Sequence, residues 1–211
     1  MRIVVTGTDT GIGKTVFAAG LVRFLDGCYW KPIQAGLDGE SDSAVVRRLS
    51  GLPAERILPE AWALTTPASP HLAAERDGVA IDPAALCLPS VSRPIVVEGA
   101  GGAMVPLTRK VLFIDVFAGW GAPVVLCART GLGTLNHTLL SLEALRRRGI
   151  WVLGVALIGE LHADNERTLA EFGGVAILGR LPRLDPLTPQ TLEAAFATSF
   201  RRESFIAGGA R

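Results

Sequence analysis

The chain has 211 residues, 49% hydrophobic and 19% charged, which supplies a sizeable core for one compact domain and argues against a second large one. A formal net charge of +1 excludes both the broad basic face of a nucleic-acid binder and an acidic tail, so the expected partners are small molecules. Cys28, Cys87 and Cys127 are odd in number and widely spaced with no C-x-x-C pair, which argues against a disulfide framework or zinc site and suits a reducing cytoplasm.

Met1-Arg2 leads directly into a strand-like segment, with no charged stretch followed by an apolar run, so the mature chain is expected to begin at Met1. Short apolar runs then alternate with segments of helical spacing. Strands are predicted over residues 2–6, 28–31, 94–98, 112–116, 124–128, 151–157 and 175–178, and helices over 15–25, 43–49, 134–147, 165–172 and 191–200. This is the pattern of βαβ units: an α/β fold with a doubly wound, mostly parallel sheet and helices on both faces. Residues 59–70, rich in Pro, Ala and Thr, are expected to form an irregular excursion over the sheet edge. Residues 111–128 are long and mostly apolar but contain Asp115, Gly119, Gly121 and Pro123, so they read as two buried strands joined by a turn, not as a membrane span. Residues 207–211 are expected to fray.

The strongest local signal is Val5-Thr6-Gly7-Thr8-Asp9-Thr10-Gly11-Ile12-Gly13-Lys14-Thr15, between the first strand and the first helix. A Gly-Lys-Thr ending there gathers backbone N–H groups and a helix N-terminus around phosphate oxygens; Lys14 counters their charge and the Thr15 hydroxyl is placed to ligate Mg²⁺. The strict G-x-x-x-x-G-K-[ST] spacing is not met, because Thr8 stands where its first glycine would be. The chain is thus expected to be of the P-loop NTPase type, with a variant loop and a nucleoside triphosphate as ligand.

Only Lys14, Lys31 and Lys110 are lysines among 21 basic residues, so a lysine at a strand end marks a place where a compact point charge is wanted. The strand ending in Glu98 and the turn Gly99-Ala100-Gly101-Gly102 offer a carboxylate for Mg²⁺ and a backbone that an anion can approach closely. Asp42, at the start of the second helix, is suited either to cap that helix or to reach the metal.

Taken in order, the phosphate loop, Tyr29-Trp30-Lys31-Pro32-Ile33-Gln34-Ala35-Gly36, Ser41-Asp42, Pro67-Ala68-Ser69-Pro70-His71, Val97-Glu98-Gly99-Ala100-Gly101-Gly102 and Gly131-Leu132-Gly133-Thr134-Leu135-Asn136-His137 resemble the dethiobiotin synthetase family. The resemblance implies a single P-loop ligase domain over residues 1–211, converting 7,8-diaminononanoate, CO₂ and ATP into dethiobiotin, ADP and phosphate. It implies Lys31, Lys14 and Thr10 as catalytic residues acting by positioning and charge stabilisation. It also implies Gly11, Ile12, Gly13, Lys14, Thr15, Val16, Asp42, Glu98, Gly99, Ala100, Gly101, Ile158, Gly159 and Pro182 around the nucleotide, and Thr15, Asp42 and Glu98 on Mg²⁺. Lys31, Ala35, Gly133, Thr134 and Asn136 would hold substrate, the last three across a homodimer interface. On its residues alone, Asn136 reads equally as a helix cap. His71 and His137 are expected to be structural.

There are departures from the family pattern. Ala35 replaces a frequent hydroxyl residue, whose bond Gln34 is a candidate to supply, and Gly11 stands where Glu is common. Ile158-Gly159 replaces an Asn-Asp pair whose amide reads adenine, so base reading is expected to fall to backbone groups around Leu157 and Gly159 and to the loop Gly179-Arg180-Leu181-Pro182, with triphosphates other than ATP tolerated. A P-loop partitioning or switch ATPase is the rival reading; such proteins typically carry an extra lysine early in the loop, which Thr8-Asp9-Thr10 lacks.

Overall fold

The computed structural model describes residues 1–206; the expectation for residues 207–211 lies outside the described residues. The elements run β1 (Arg2–Gly7), α1 (Lys14–Phe24), β2 (Cys28–Trp30), β3 (Ile33–Ala35), α2 (Asp42–Ser50), β4 (Ile57–Leu58), β5 (Trp62–Leu64) and α3 (Pro70–Arg76). They continue with β6 (Ile95–Glu98), α4 (Phe113–Trp120), β7 (Val124–Arg129), α5 (Thr134–Arg147), β8 (Val152–Ile158), α6 (Ala163–Gly173), β9 (Ile177–Leu181), α7 (Pro189–Ser199) and α8 (Glu203–Ile206).

Seven strands form one parallel sheet in the order β4-β2-β6-β1-β7-β8-β9, and β3 pairs with β5 in a parallel two-stranded sheet beside it. The central strands β1, β6 and β7 carry near-continuous Val, Ile and Leu because both faces are covered. On one face Phe17 of α1, Leu49 of α2 and Phe196 of α7 form an apolar layer; on the other, Phe117 of α4, Leu145 of α5 and Leu169 of α6 do so. The chain winds from β1 outward to β2, returns through β6, and then crosses to β7. All the strands point the same way, so the segments that follow them converge on one edge, beside the central strand where the winding direction reverses.

The expected doubly wound α/β sheet is present, but one predicted strand is not. Residues 112–116 open the helix α4, so the stretch 111–128 is a helix followed by the strand β7, not two strands. Its β-favouring residues are also spaced for one helical face: Phe113 and Phe117 are buried one turn apart. Asp115, in the first turn, accepts a hydrogen bond from the Leu112 amide at 3.1 Å and so helps fix the helix start. Packing against the sheet face overrides strand propensity here.

Residues 59–70 are less irregular than expected, since they contain β5 and lead into α3. The last strand is displaced to Ile177–Leu181 from the predicted 175–178. Consequently Gly179, Arg180 and Leu181 belong to the sheet instead of a loop, and only Pro182 follows it.

Candidate active site

Residues 8–13 form the turn between β1 and α1. Gly13 is the residue immediately before α1 and has φ +99°, a left-handed conformation; a Cβ there would also lie 3.1 Å from Ile158 Cγ2. Glycine is therefore required by backbone and space together. The first amides of α1, from Lys14, Thr15 and Val16, have no preceding helical carbonyl to bind and face the loop, where a phosphate would accept from them. Lys14 Nζ donates to the Asp9 carbonyl at 2.8 Å, folding the side chain back across the loop. Burial lowers the Lys14 pKa; Glu98 opposes that shift and Lys31 adds to it.

A link across the mouth of the loop was not foreseen. Arg129, at the end of β7, donates to Asp9 Oδ2 at 2.7 Å, while Asp9 Oδ1 accepts from the Thr10 amide at 2.7 Å. Both side chains of this pair are about half exposed, so the bridge adds little stability and acts mainly to orient the loop. No spacing in the sequence links residues 9 and 129; only the adjacency of β1 and β7 does.

On the other side of β1 lies a buried nest of charge. Glu98 ends β6 and Lys31 follows β2, so pairing of those two strands brings them together although they are 67 residues apart. Lys31 Nζ donates to Asp42 Oδ2 at 2.7 Å, Glu98 Oε1 at 3.0 Å and the Gly99 carbonyl at 3.1 Å. Burial would lower the Lys31 pKa, but the charges of Glu98 and Asp42 outweigh it and hold the pKa above the ordinary lysine value. Asp42 is likewise pushed up by burial but held below the usual carboxylate range by Lys31, with help from the Thr15 hydroxyl. Of the two alternatives for Asp42, capping falls away: Ser41 caps α2 by accepting from the Ala44 amide at 3.2 Å, and the Asp42 carboxylate meets Lys31 and Thr15.

Tyr29 was missed as well. Its fully buried hydroxyl donates to Glu98 Oε2 at 2.9 Å, leaving Oε1 for Lys31 and Thr15. Burial, and then the negative charge of Glu98, raise the Tyr29 pKa well above that of a free phenol, so the hydroxyl stays a donor. A signal was present in the sequence: Tyr29 is the chain's single tyrosine, placed in an otherwise apolar strand, and a buried phenol needs a partner.

The Thr15 hydroxyl lies 3.0 Å from Asp42 Oδ1 and 2.9 Å from Glu98 Oε1. The Thr15 hydroxyl and the two carboxylates therefore face one point with oxygen atoms alone, and such an all-oxygen set suits a hard cation. No cluster of three His, Cys, Asp or Glu occurs among the described residues. Mg²⁺ does not need one, because it commonly takes one or two carboxylates and completes its shell with water and phosphate. Thr15, Asp42 and Glu98 fit that ion.

Other predicted residues divide between near and engaged. A hollow of about 490 Å³ opens beside the loop, walled by Thr10, Gly102, Met104 and His137 among others. Gly101 has φ +64°, and a Cβ there would meet Val105 at 2.7 Å and Thr10 Oγ1 at 3.3 Å, so the glycine turn packs directly on the loop. Gln34 does not reach outward: its Oε1 accepts from the Asp42 amide at 3.1 Å and its amide nitrogen turns to the Ala35 and Gly36 carbonyls, so it orients Asp42 and does not replace the hydroxyl absent at Ala35. Thr134 is buried with its hydroxyl on the Arg129 carbonyl at 2.5 Å, whereas Asn136 is exposed. Asn136 is not a cap, since Gly133 occupies the cap position of α5.

On the β8–β9 side, Ile158 packs over Gly13, and both backbone groups of Gly159 are taken: its amide donates to the Leu181 carbonyl at 3.0 Å and its carbonyl accepts from Arg180 at 2.8 Å. Among the described residues no helix is long and apolar enough to cross a membrane. Cys28 and Cys127 are buried free thiols and Cys87 is exposed; burial pushes the Cys127 thiol up, so it is no nucleophile.

A parallel sheet with a Gly-Lys-Thr phosphate loop after its central strand defines a P-loop nucleotide-binding protein, and the family model described as an AAA domain matches residues 1–191. Among solved structures, the chain is similar in fold to a ParA family ATPase from Chlorobium tepidum TLS (TM-score 0.54, 11% identity, covering 98% of this chain and 96% of that one). It is also similar to the cell division ATPase MinD of Pyrococcus furiosus (TM-score 0.51, 16% identity, 98% and 88% covered). At those identities the likeness is one of fold alone. Sequence similarity runs elsewhere: the chain is 67% identical over 205 residues to an ATP-dependent dethiobiotin synthetase of Rhodopseudomonas palustris, covering 97% of this chain and 96% of that protein. It is 63% identical over 209 residues to the one of Nitrobacter hamburgensis, covering 99% of both. The chain belongs to the ATP-dependent dethiobiotin synthetase family.

Proposed function

We propose that residues 1–211 act as a single P-loop ligase domain that carboxylates 7,8-diaminononanoate with CO₂ and closes the ureido ring at the expense of ATP, in the cytoplasm and in biotin biosynthesis. The observation that carries this reading is the nest of Lys31, Asp42, Glu98 and Thr15 directly behind the phosphate loop. A plain nucleotide switch has no need of a second buried lysine there; a reaction that gathers carbamate and phosphoryl oxygens at one point does.

The carbamate formed on one substrate amine attacks the γ-phosphorus, ADP leaves, and the second amine displaces phosphate from the carbamic-phosphoric anhydride to close the ring. Lys14 and the amides at the start of α1 hold the nucleotide phosphates, with Gly11, Ile12, Gly13 and Val16 shaping the cradle. Lys31 neutralises the carbamate and the transferring phosphoryl, and Thr10, at the loop's outer edge, hydrogen-bonds the same oxygens. Thr15, Asp42 and Glu98 would hold Mg²⁺, which when bound supplies charge neutralisation for the phosphates. Gly99, Ala100 and Gly101 offer the nucleotide's phosphates backbone donors and a close approach. Ile158, Gly159 and Pro182 line the nucleotide's base side.

A homodimer completes the substrate site. Gly133, Thr134 and Asn136 begin α5, where the helix N-terminus favours a carboxylate. Leu132 is fully exposed there, and Met104 and Leu140 are about half exposed beside the same hollow, an apolar surface suited to burial against a second copy. The deciding experiment is an ADP-release assay with and without diaminononanoate and bicarbonate, with the cyclic urea followed by mass spectrometry. ADP release that does not depend on both substrates would overturn the assignment.

A further inference from the structure

We propose that Lys31 is a tethered stand-in for the divalent cation, so that metal binding is an exchange in which Lys31 gives up Asp42 and Glu98 and is delivered to the substrate. The proposal rests on the reading of Thr15, Asp42 and Glu98 as the metal site. Three observations carry it. All three donors of the ammonium are used, on Asp42 Oδ2, Glu98 Oε1 and the Gly99 carbonyl, and the residue is only 3% exposed. The oxygen Glu98 Oε1 that Lys31 occupies is the same one that Thr15 approaches at 2.9 Å. The second Glu98 oxygen accepts from Tyr29, so Oε1 is the oxygen that Lys31 and an incoming cation would share.

The electrostatics then set an order of events. Two lysines, Lys14 and Lys31, stand beside two carboxylates, Asp42 and Glu98, so the cluster is balanced in charge without ligands. A divalent cation arriving alone would add two uncompensated charges in a buried place, which is costly. A cation arriving with the phosphates brings its own counter-charge, displaces the ammonium, and leaves Lys31 needing new oxygen acceptors. The carbamate and transferring phosphoryl supply them. A flexible stem with a compact charge suits such a move, and a planar guanidinium does not.

The test is Mn²⁺ binding, followed by the electron paramagnetic resonance of the free ion. In wild-type protein, tight binding should require ADP. In Lys31→Met, Mn²⁺ should bind without nucleotide at least about tenfold more tightly than in wild type, because two buried carboxylates have lost their cation. Adding Asp42→Asn should abolish that gain. Nucleotide-free affinity in Lys31→Met no tighter than in wild type overturns the exchange while leaving the metal site standing, whereas no Mn²⁺ binding even to wild type with ADP overturns the metal site and the exchange together.

A second measurement needs no substitution. With only three lysines in the chain, the ¹⁵N-labelled ammonium signal of Lys31 can be followed directly. It should hold its position on addition of Mg²⁺ alone and move with Mg²⁺ plus ADP; a signal unmoved by both overturns the proposal.

Discussion

The two sides of the central strand differ in how complete they are. Toward β6 and β2, Tyr29, Lys31, Asp42, Glu98 and Gln34 satisfy one another within a single chain, and nearly every polar atom has a partner. Toward β7 and β8, the residues are either spent on backbone contacts, as Gly159 and Thr134 are, or face outward, as Asn136 and Leu132 do. The charged side is thus preorganised by the fold, while on the side proposed to recognise base and substrate tail the side chains do not converge on one point.

Removing a charge from the complete side should have the largest effect. Lys31→Ala is expected to lower turnover by about a hundredfold or more while ATP binding is largely kept, as measured by steady-state ring closure beside nucleotide titration. Near-normal ring closure would erase the contrast. The incomplete side should discriminate weakly. CTP or another triphosphate is expected to support ring closure within about a hundredfold of ATP in kcat/KM, because Ile158 offers no donor or acceptor and a shape-only slot rejects poorly. A far stronger preference for ATP would mean that Arg180 or other groups read the base after all.

A smaller effect should follow from loosening the complete side without removing a charge. Tyr29→Phe leaves Glu98 Oε2 without its donor and is expected to weaken Mn²⁺ affinity of the nucleotide complex by about tenfold, the scale of losses for groups that orient metal ligands. The effect should vanish in a Glu98→Gln background, and persistence there would show that Tyr29 acts by packing alone. The smallest signal tests whether a partner completes the open side. Mixing Lys31→Ala with Asn136→Ala and allowing subunits to exchange should regain about a quarter of wild-type turnover, since half the dimers are hybrids with one intact site each. Proven exchange without any recovery would place the substrate tail within one chain.

Much of this protein is legible in its amino-acid sequence. The phosphate loop, the alternation of strand and helix, and the placement of Lys31 and Glu98 at strand ends are local properties: they follow from period, turn chemistry and the position of charges in an apolar run. Asn136, Gln34 and Gly159 show where that legibility stops. Asn136 lies in the first turn of α5 but Gly133 does the capping, Gln34 orients Asp42, and Gly159 is held by the β9 partners Leu181 and Arg180. Each depends on which neighbour arrives in space, and none on sequence distance.

The same holds for α4. Its residues satisfy strand propensity and helical spacing at once, and only the sheet face waiting for Phe113 and Phe117 selects the helix. Local pattern therefore suffices for the sheet class, the nucleotide loop and the set of charged residues at the crevice. The strand order β2-β6-β1-β7 settles the rest: that Lys31 meets Glu98, that Tyr29 fixes that carboxylate, and that Arg129 ties down Asp9. Strand order is set by burial summed over both faces of the sheet, and no local window of residues contains it.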